Sequence, residues 1–321
     1  MPAPATPAGV ARSISGCDAM LNCQRDLFSI PRETAYLDAA YMSPIPTAAV
    51  AAGEAGVRVK AEPWKMTIAS YYDEVEQARQ LAASMVGAAT DDVAIVAATS
   101  YGMAIAAANV AVPPGSAILL MENEHTSHRY VWYDLAQRSG ALVDIVPQPA
   151  DGDWTGAIVS AIRTSSRPIA VVAGTLVHWF EGMAIDLEVV AEAARAASAA
   201  LVVDGTQWVG AVPFDVRRVR PDFLVFATYK FLLGPYRLAF LYGRTLRLRR
   251  PAYRNRRDGA HPRLDGRSRF RASSSPQRAG LGRGGKSRPA GCASPASDAS
   301  YLDPRYRRSA LAECGAGTEA R

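Results

Sequence analysis

Two short runs hold residues suited to covalent chemistry: Leu201-Val-Val-Asp-Gly-Thr-Gln207 and Asp222-Phe-Leu-Val-Phe-Ala-Thr-Tyr-Lys-Phe-Leu-Leu-Gly-Pro235. Each starts as an apolar strand and stops at polar residues, Asp204 and Gln207 in the first, Thr228, Tyr229 and Lys230 in the second. Together they place a carboxylate and a lysine at one end of a sheet. An amine there can form a Schiff base with an aldehyde, and a carboxylate can keep a pyridine nitrogen protonated, which is what pyridoxal 5'-phosphate (PLP) requires. The protonated ring is then the electron sink for carbanion chemistry. Taken singly, Asp204 reads as a turn former or helix cap and Lys230 as a solvated charge. Their joint occurrence, 26 residues apart with a strand between them and Gly-Pro beyond the lysine, is the specific signal.

Two further segments follow strands. Ala97-Ala-Thr-Ser-Tyr-Gly102 lies between a strand and a helix, so Thr99, Ser100 and Tyr101 stand where helix N-terminal amides and a hydroxyl suit a phosphate. An ordinary N-cap by Thr99 or Ser100 explains this segment equally well. Met121-Glu-Asn-Glu-His-Thr-Ser-His-Arg-Tyr-Val-Trp132 holds two of the four histidines, and a flat ring from this loop could stack on a pyridine. Its position after a strand singles out His125, whereas Trp132 reads as core.

These residues need a frame that presents strand ends together. Strands are expected at Val93 to Ala97, Ala117 to Met121, Leu142 to Val146, Ile169 to Ala173, Leu201 to Asp204, Phe223 to Ala227 and Leu238 to Tyr242. Helical patterns fall at Tyr101 to Val110, Ser127 to Arg138, Gly156 to Ile162 and Leu187 to Ala199, after a helical stretch that leads to about Gly87. Such alternation implies an α/β fold, a mainly parallel sheet covered by helices on both faces. Ligands in these sheets bind beyond the carboxyl ends of the strands.

The segments resemble the class V aminotransferase family of fold-type I PLP enzymes, which also holds cysteine desulfurases and isopenicillin-N-epimerase-like proteins. The resemblance covers roughly residues 30 to 243 and rests on Val203-Asp-Gly-Thr-Gln and Thr228-Tyr-Lys-Phe-Leu-Leu-Gly-Pro. It implies a three-layer α/β/α large domain, with Lys230 as Schiff-base lysine and Asp204 as partner of the pyridinium nitrogen. It also implies Gln207 on the phenolic oxygen, His125 stacked on the ring, Ser100 and Thr228 on the phosphate, and a homodimer with sites at the subunit interface. The chain departs from the family at Arg237, where relatives usually carry glycine. Nothing in it resembles the family's smaller second domain, which helps bind the substrate carboxylate.

The formal charge of +6 conceals an asymmetry. Residues 1–243 hold 17 Lys and Arg against 24 Asp and Glu, and residues 244–321 hold 19 against 6, giving −7 and +13. The basic part is rich in Arg, Ser, Gly and Pro and lacks the apolar residues to offset chain entropy, so 246–321 reads as a disordered tail or the product of a shifted reading frame. It has too few interleaved aromatics for nucleic-acid recognition. Residues 1–18 read as a loose Ala/Pro segment, leaving 19–245 as the PLP-binding domain. Cys17, Cys23, Cys292 and Cys314 are too few and scattered for a disulfide framework or zinc site, and no apolar run reaches membrane-spanning length. These features imply a cytoplasmic protein without a membrane partner. The expected activity is that of a PLP-dependent, aminotransferase-type enzyme on an amino acid or keto acid. Epimerisation, elimination and a remnant that binds PLP without turnover stand as alternatives, and desulfuration ranks low because Cys292 and Cys314 lie in the tail.

Overall fold

The computed structural model describes residues 22–244. The expected loose segment 1–18 and the tail 246–321 lie outside the described residues. Seven strands form one sheet in the order β1-β7-β6-β5-β4-β2-β3. They are β1 (Val93–Val96), β2 (Ala117–Met121), β3 (Leu142–Val146), β4 (Ile169–Thr175), β5 (Ala200–Asp204), β6 (Phe223–Ala227) and β7 (Ala239–Gly243). All neighbours pair in parallel except β7, which runs antiparallel to both β1 and β6. The expected mainly parallel, three-layer α/β/α architecture is what the chain adopts.

The two-residue period of the strands builds both faces at once. On one face Ala117, Leu119, Met121, Val172, Val203, Leu224 and Phe226 pack against α2 (Ile68–Met85), α5 (Trp154–Thr164), α6 (Leu187–Ala196) and α7 (Val216–Val219). On the other, Ile118, Leu120, Val171, Val202 and Val225 meet α3 (Thr99–Asn109) and α4 (Thr126–Ser139), whose Trp132 is fully buried. Arg79 fastens α2 to the sheet edge by donating to the Val93 and Thr90 carbonyls, both at 2.7 Å.

Local chemistry sets the boundaries. Asp186 caps α6 by accepting from the Glu188 and Val189 amides. That helix stops at Ala196, three residues before the expected Ala199, because the left-handed Ser198 (φ 57°) turns the chain into β5. Gly140, at φ 73°, ends α4. Gly102 lets α3 lie close on β6, since a Cβ there would stand 2.5 Å from Val225 Cγ1. In contrast, α1 (Thr47–Ala61) has no buried residue. Among the described residues no helix is long and apolar enough to cross a membrane.

Candidate active site

The carboxyl ends of β1, β2, β4, β5 and β6 surround one pocket, which is lined by Thr99, Ser100, Glu124, His125, Thr175, Asp204, Gln207, Tyr229, Lys230 and Arg237 among others. The antiparallel β7 contributes from its amino end, because reversing its direction brings Tyr236, Arg237 and Leu238 to the same edge. The structure therefore brings Asp204 and Lys230 into one cavity.

Asp204 is buried at the end of β5, where its Oδ1 accepts from the Thr206 amide at 2.9 Å. This fixes the carboxylate and leaves its other oxygen for the pocket. Thr175, two residues past the expected end of β4, hydrogen-bonds the Asp204 carbonyl at 3.0 Å. The Thr206 hydroxyl meets that of Thr99 at 3.1 Å, tying the β5 turn to the start of α3.

Lys230 is partly buried, and this desolvation lowers its pKa, against the opposing pull of the Asp204 and Asp38 charges. With its amide nitrogen toward the Ala40 carbonyl at 3.3 Å, Gln207 accepts from Lys230 Nζ at 2.8 Å. The segment before α1 thus helps to hold the amine. It also docks through Ser43, whose amide and hydroxyl both donate to the Tyr229 carbonyl at 3.0 Å. Burial raises the Tyr229 pKa, so its phenol stays a donor at neutral pH.

At the start of α3 the N-cap is Ala98, which has no side-chain hydrogen bond to the helix. Thr99 and Ser100 are the first helical residues rather than caps, and their amides have no partner among the described hydrogen bonds. Two free amides at the positive end of an 11-residue helix suit an oxyanion. Tyr101 is not part of this arrangement; it is 64% exposed and does not line the pocket.

Thr228, the other residue expected on the phosphate, is engaged with its own loop. It is buried, and its hydroxyl bonds the Pro235 carbonyl at 2.7 Å and the Leu238 carbonyl at 3.0 Å. The Gly234 amide in turn donates to the Thr228 carbonyl at 2.9 Å. With its one proton drawn to backbone carbonyls, Thr228 clamps the loop that carries Lys230. The same loop contains two non-glycine residues at positive φ, Leu233 (53°) and Arg237 (68°).

His125 caps α4, with Nδ1 accepting from the Ser127 amide at 3.3 Å and lying 2.7 Å from the Ser127 hydroxyl. The proton of the neutral ring is therefore on Nε2. Desolvation lowers its pKa, while the Asp204 charge opposes the shift. Trp179 meets the ring edge-on at a centroid distance of 5.2 Å, leaving a face of the exposed imidazole open. Behind it lies a pair that the sequence reading missed although its i, i+4 spacing was visible: Glu124 Oε2 stands 3.6 Å from His128 Nδ1, both buried. Glu124 Oε1 also accepts from the His125 amide at 2.8 Å.

The pair makes a pH-dependent prediction. Burial disfavours both charges, but each partner stabilises the other, so Glu124 is held below its ordinary 4.5 and His128 above its ordinary 6.5. The His128 contribution is complete below 6.5 and lost as the pH rises through its higher folded value; that of Glu124 is complete above 4.5 and lost as the pH falls through its lower one. Glu124→Gln should therefore destabilise the protein more at pH 6 than at pH 9 in urea unfolding. Equal losses at the two pH values would show that the pair is not ionised.

A lysine and a buried carboxylate thus meet in one pocket at the carboxyl edge of the sheet, beside a helix whose first amides have no partner among the described hydrogen bonds. Residues 35–254 match the family Aminotransferase class-V, and the chain belongs to that family. It is 27% identical over 217 residues to a probable cysteine desulfurase of Methanothermobacter thermautotrophicus, covering 66% of this chain and 53% of that protein. It is 32% identical over 178 residues to a cysteine desulfurase of Klebsiella pneumoniae, covering 53% of this chain and 42% of that one. Among solved structures, a C-DES variant with glycine covalently linked to the PLP cofactor superposes with a TM-score of 0.62 at 21% identity, covering 69% of this chain and 60% of its own. The chain thus spans about half the length of the curated relatives it matches.

Proposed function

We propose that residues 19–245 form a PLP-binding domain that attaches the cofactor through Lys230 and acts on an amino acid. The observation that carries this reading is the meeting of Lys230, Asp204 and the free α3 amides in one pocket. When bound, PLP supplies an electron sink for bonds at the substrate α-carbon. The Asp204 carboxylate would hold a proton on the ring nitrogen, His125 would pack on the ring face, and the Thr99 and Ser100 amides would take the phosphate. Lys230 would move the α-proton, and the desolvation that lowers its pKa favours the neutral, basic amine.

Cysteine, the substrate in the relatives' names, is the first amino acid to test, followed by amino and keto acids for transamination. Cys23 is the only cysteine among the described residues and does not line the pocket, so these residues offer no thiol there to receive sulfur. A second copy of the chain is the natural partner. A 15-residue helix is marginal alone in water, yet α1 buries nothing and exposes Val57 and Val59.

The direct test is an absorbance titration of the full chain with PLP, followed by borohydride reduction and peptide mapping. A saturable band with label on Lys230 is the expected result. Label confined to Lys60, Lys65 and Lys286, or no band from folded protein, would refute the reading.

A further inference from the structure

We propose that Arg237 is an oxyanion ligand of this pocket. The inference rests on the PLP reading above and assigns a new group to the same site. The register places Arg237 with some definition. Ala239 pairs with Val96 on one side and with Ala227 on the other. Beyond that rung Ala98, Tyr229 and Arg237 all line the pocket. Arg237 thus shares the cavity with the first turn of α3, where the Thr99 and Ser100 amides have no partner among the described hydrogen bonds.

Charge accounting points the same way. Among the described residues, Arg237 is the only lysine or arginine besides Lys230 that lines the pocket. Lys230 is engaged by Gln207, and in the working site it is committed to the cofactor aldehyde. The Thr228 hydroxyl is spent on backbone carbonyls. Two amides and the hydroxyl of Ser100 are then a thin set of donors for a dianion. Arg237 has no ion pair or hydrogen bond among the described residues, so its planar fork of donors is free. It also holds a left-handed backbone (φ 68°) that glycine would adopt without strain, so the side chain is kept at a cost to the fold.

The anion is either the cofactor phosphate or the carboxylate of the substrate, and one variant distinguishes them. Arg237→Gly suits the backbone and should melt no lower than the parent, so lost binding cannot be put down to misfolding. Full-length parent and variant would be titrated with PLP, with pyridoxal, and, once loaded, with L-cysteine and L-cysteinamide by absorbance. For a phosphate ligand, the variant binds PLP at least tenfold more weakly and pyridoxal unchanged, and Arg237→Lys recovers part of the loss. For a carboxylate ligand, PLP affinity is unchanged and L-cysteine binding weakens at least tenfold while the amide does not. Affinities within twofold of the parent in every titration overturn the proposal. If the parent forms no adduct with PLP, the functional reading fails by itself. Arg237 is then judged by inorganic phosphate, whose stabilisation of the parent against heat should be missing in Arg237→Gly; equal stabilisation would overturn the proposal.

Discussion

Lys230→Ala is expected to abolish covalent capture of PLP: no band after titration, no borohydride-fixed label, and turnover reduced by more than the roughly 10²–10⁴-fold that a lost general base costs. The larger figure follows from the proposal that one amine both anchors the cofactor and moves the proton. Lys230 is partly desolvated and its charge is disfavoured by that burial, so its removal costs the fold little. Noncovalent affinity for PLP should survive, since Asp204, His125 and the α3 amides are untouched. Equilibrium dialysis beside the absorbance experiment separates the two effects. A variant that still fixes label would move the anchor to another lysine and refute the assignment.

Asp204→Asn should lower turnover by about 10²–10³-fold, the range found when one preorganised electrostatic partner of a transition state is removed. Asparagine keeps the shape and an oxygen to accept from the Thr206 amide, so the turn after β5 should persist. What is lost is the negative charge. That charge also raises the Lys230 pKa against burial, so in the variant it falls further and the pH midpoint for PLP capture should move down. Stopped-flow capture rates across pH would show the shift. Unchanged turnover together with an unchanged midpoint would mean that Asp204 does not face the ring.

The strand ends were legible because each run of apolar residues stops at a polar one that cannot continue into the core. Asp204 and Lys230 could be placed at one edge from that pattern alone. Strand direction is not in the pattern, because a two-residue period reads the same both ways; hence Leu238 to Tyr242 was found as a strand, but its reversal was not. That reversal is what brings Arg237 to the pocket. The partners of Thr228 were unreadable for a related reason. A hydroxyl beside the lysine suits a phosphate on paper, but its geometry is set by the turn to Pro235 and Leu238, a tertiary fact. The Ala40 and Ser43 contacts join residues 167 and 186 positions apart and left no local signal.

The place of β7 also dictates an order of events during synthesis. Strand β1 lies at the sheet border with β7 as its only partner, and Val96 must wait for Ala239, about 140 residues later in the chain. At ribosomal speeds of about 5–20 residues per second, that interval is about 7–30 s. Through it the nascent chain can assemble β2 to β6, but β1 has no ladder to join and α3 has only half its floor. The pocket is therefore complete only once β7 has docked. A ribosome stalled between β6 and β7 would hold a chain whose β2, β4, β5 and β6 ends can meet, but whose α3 amides and Arg237 are not yet in place.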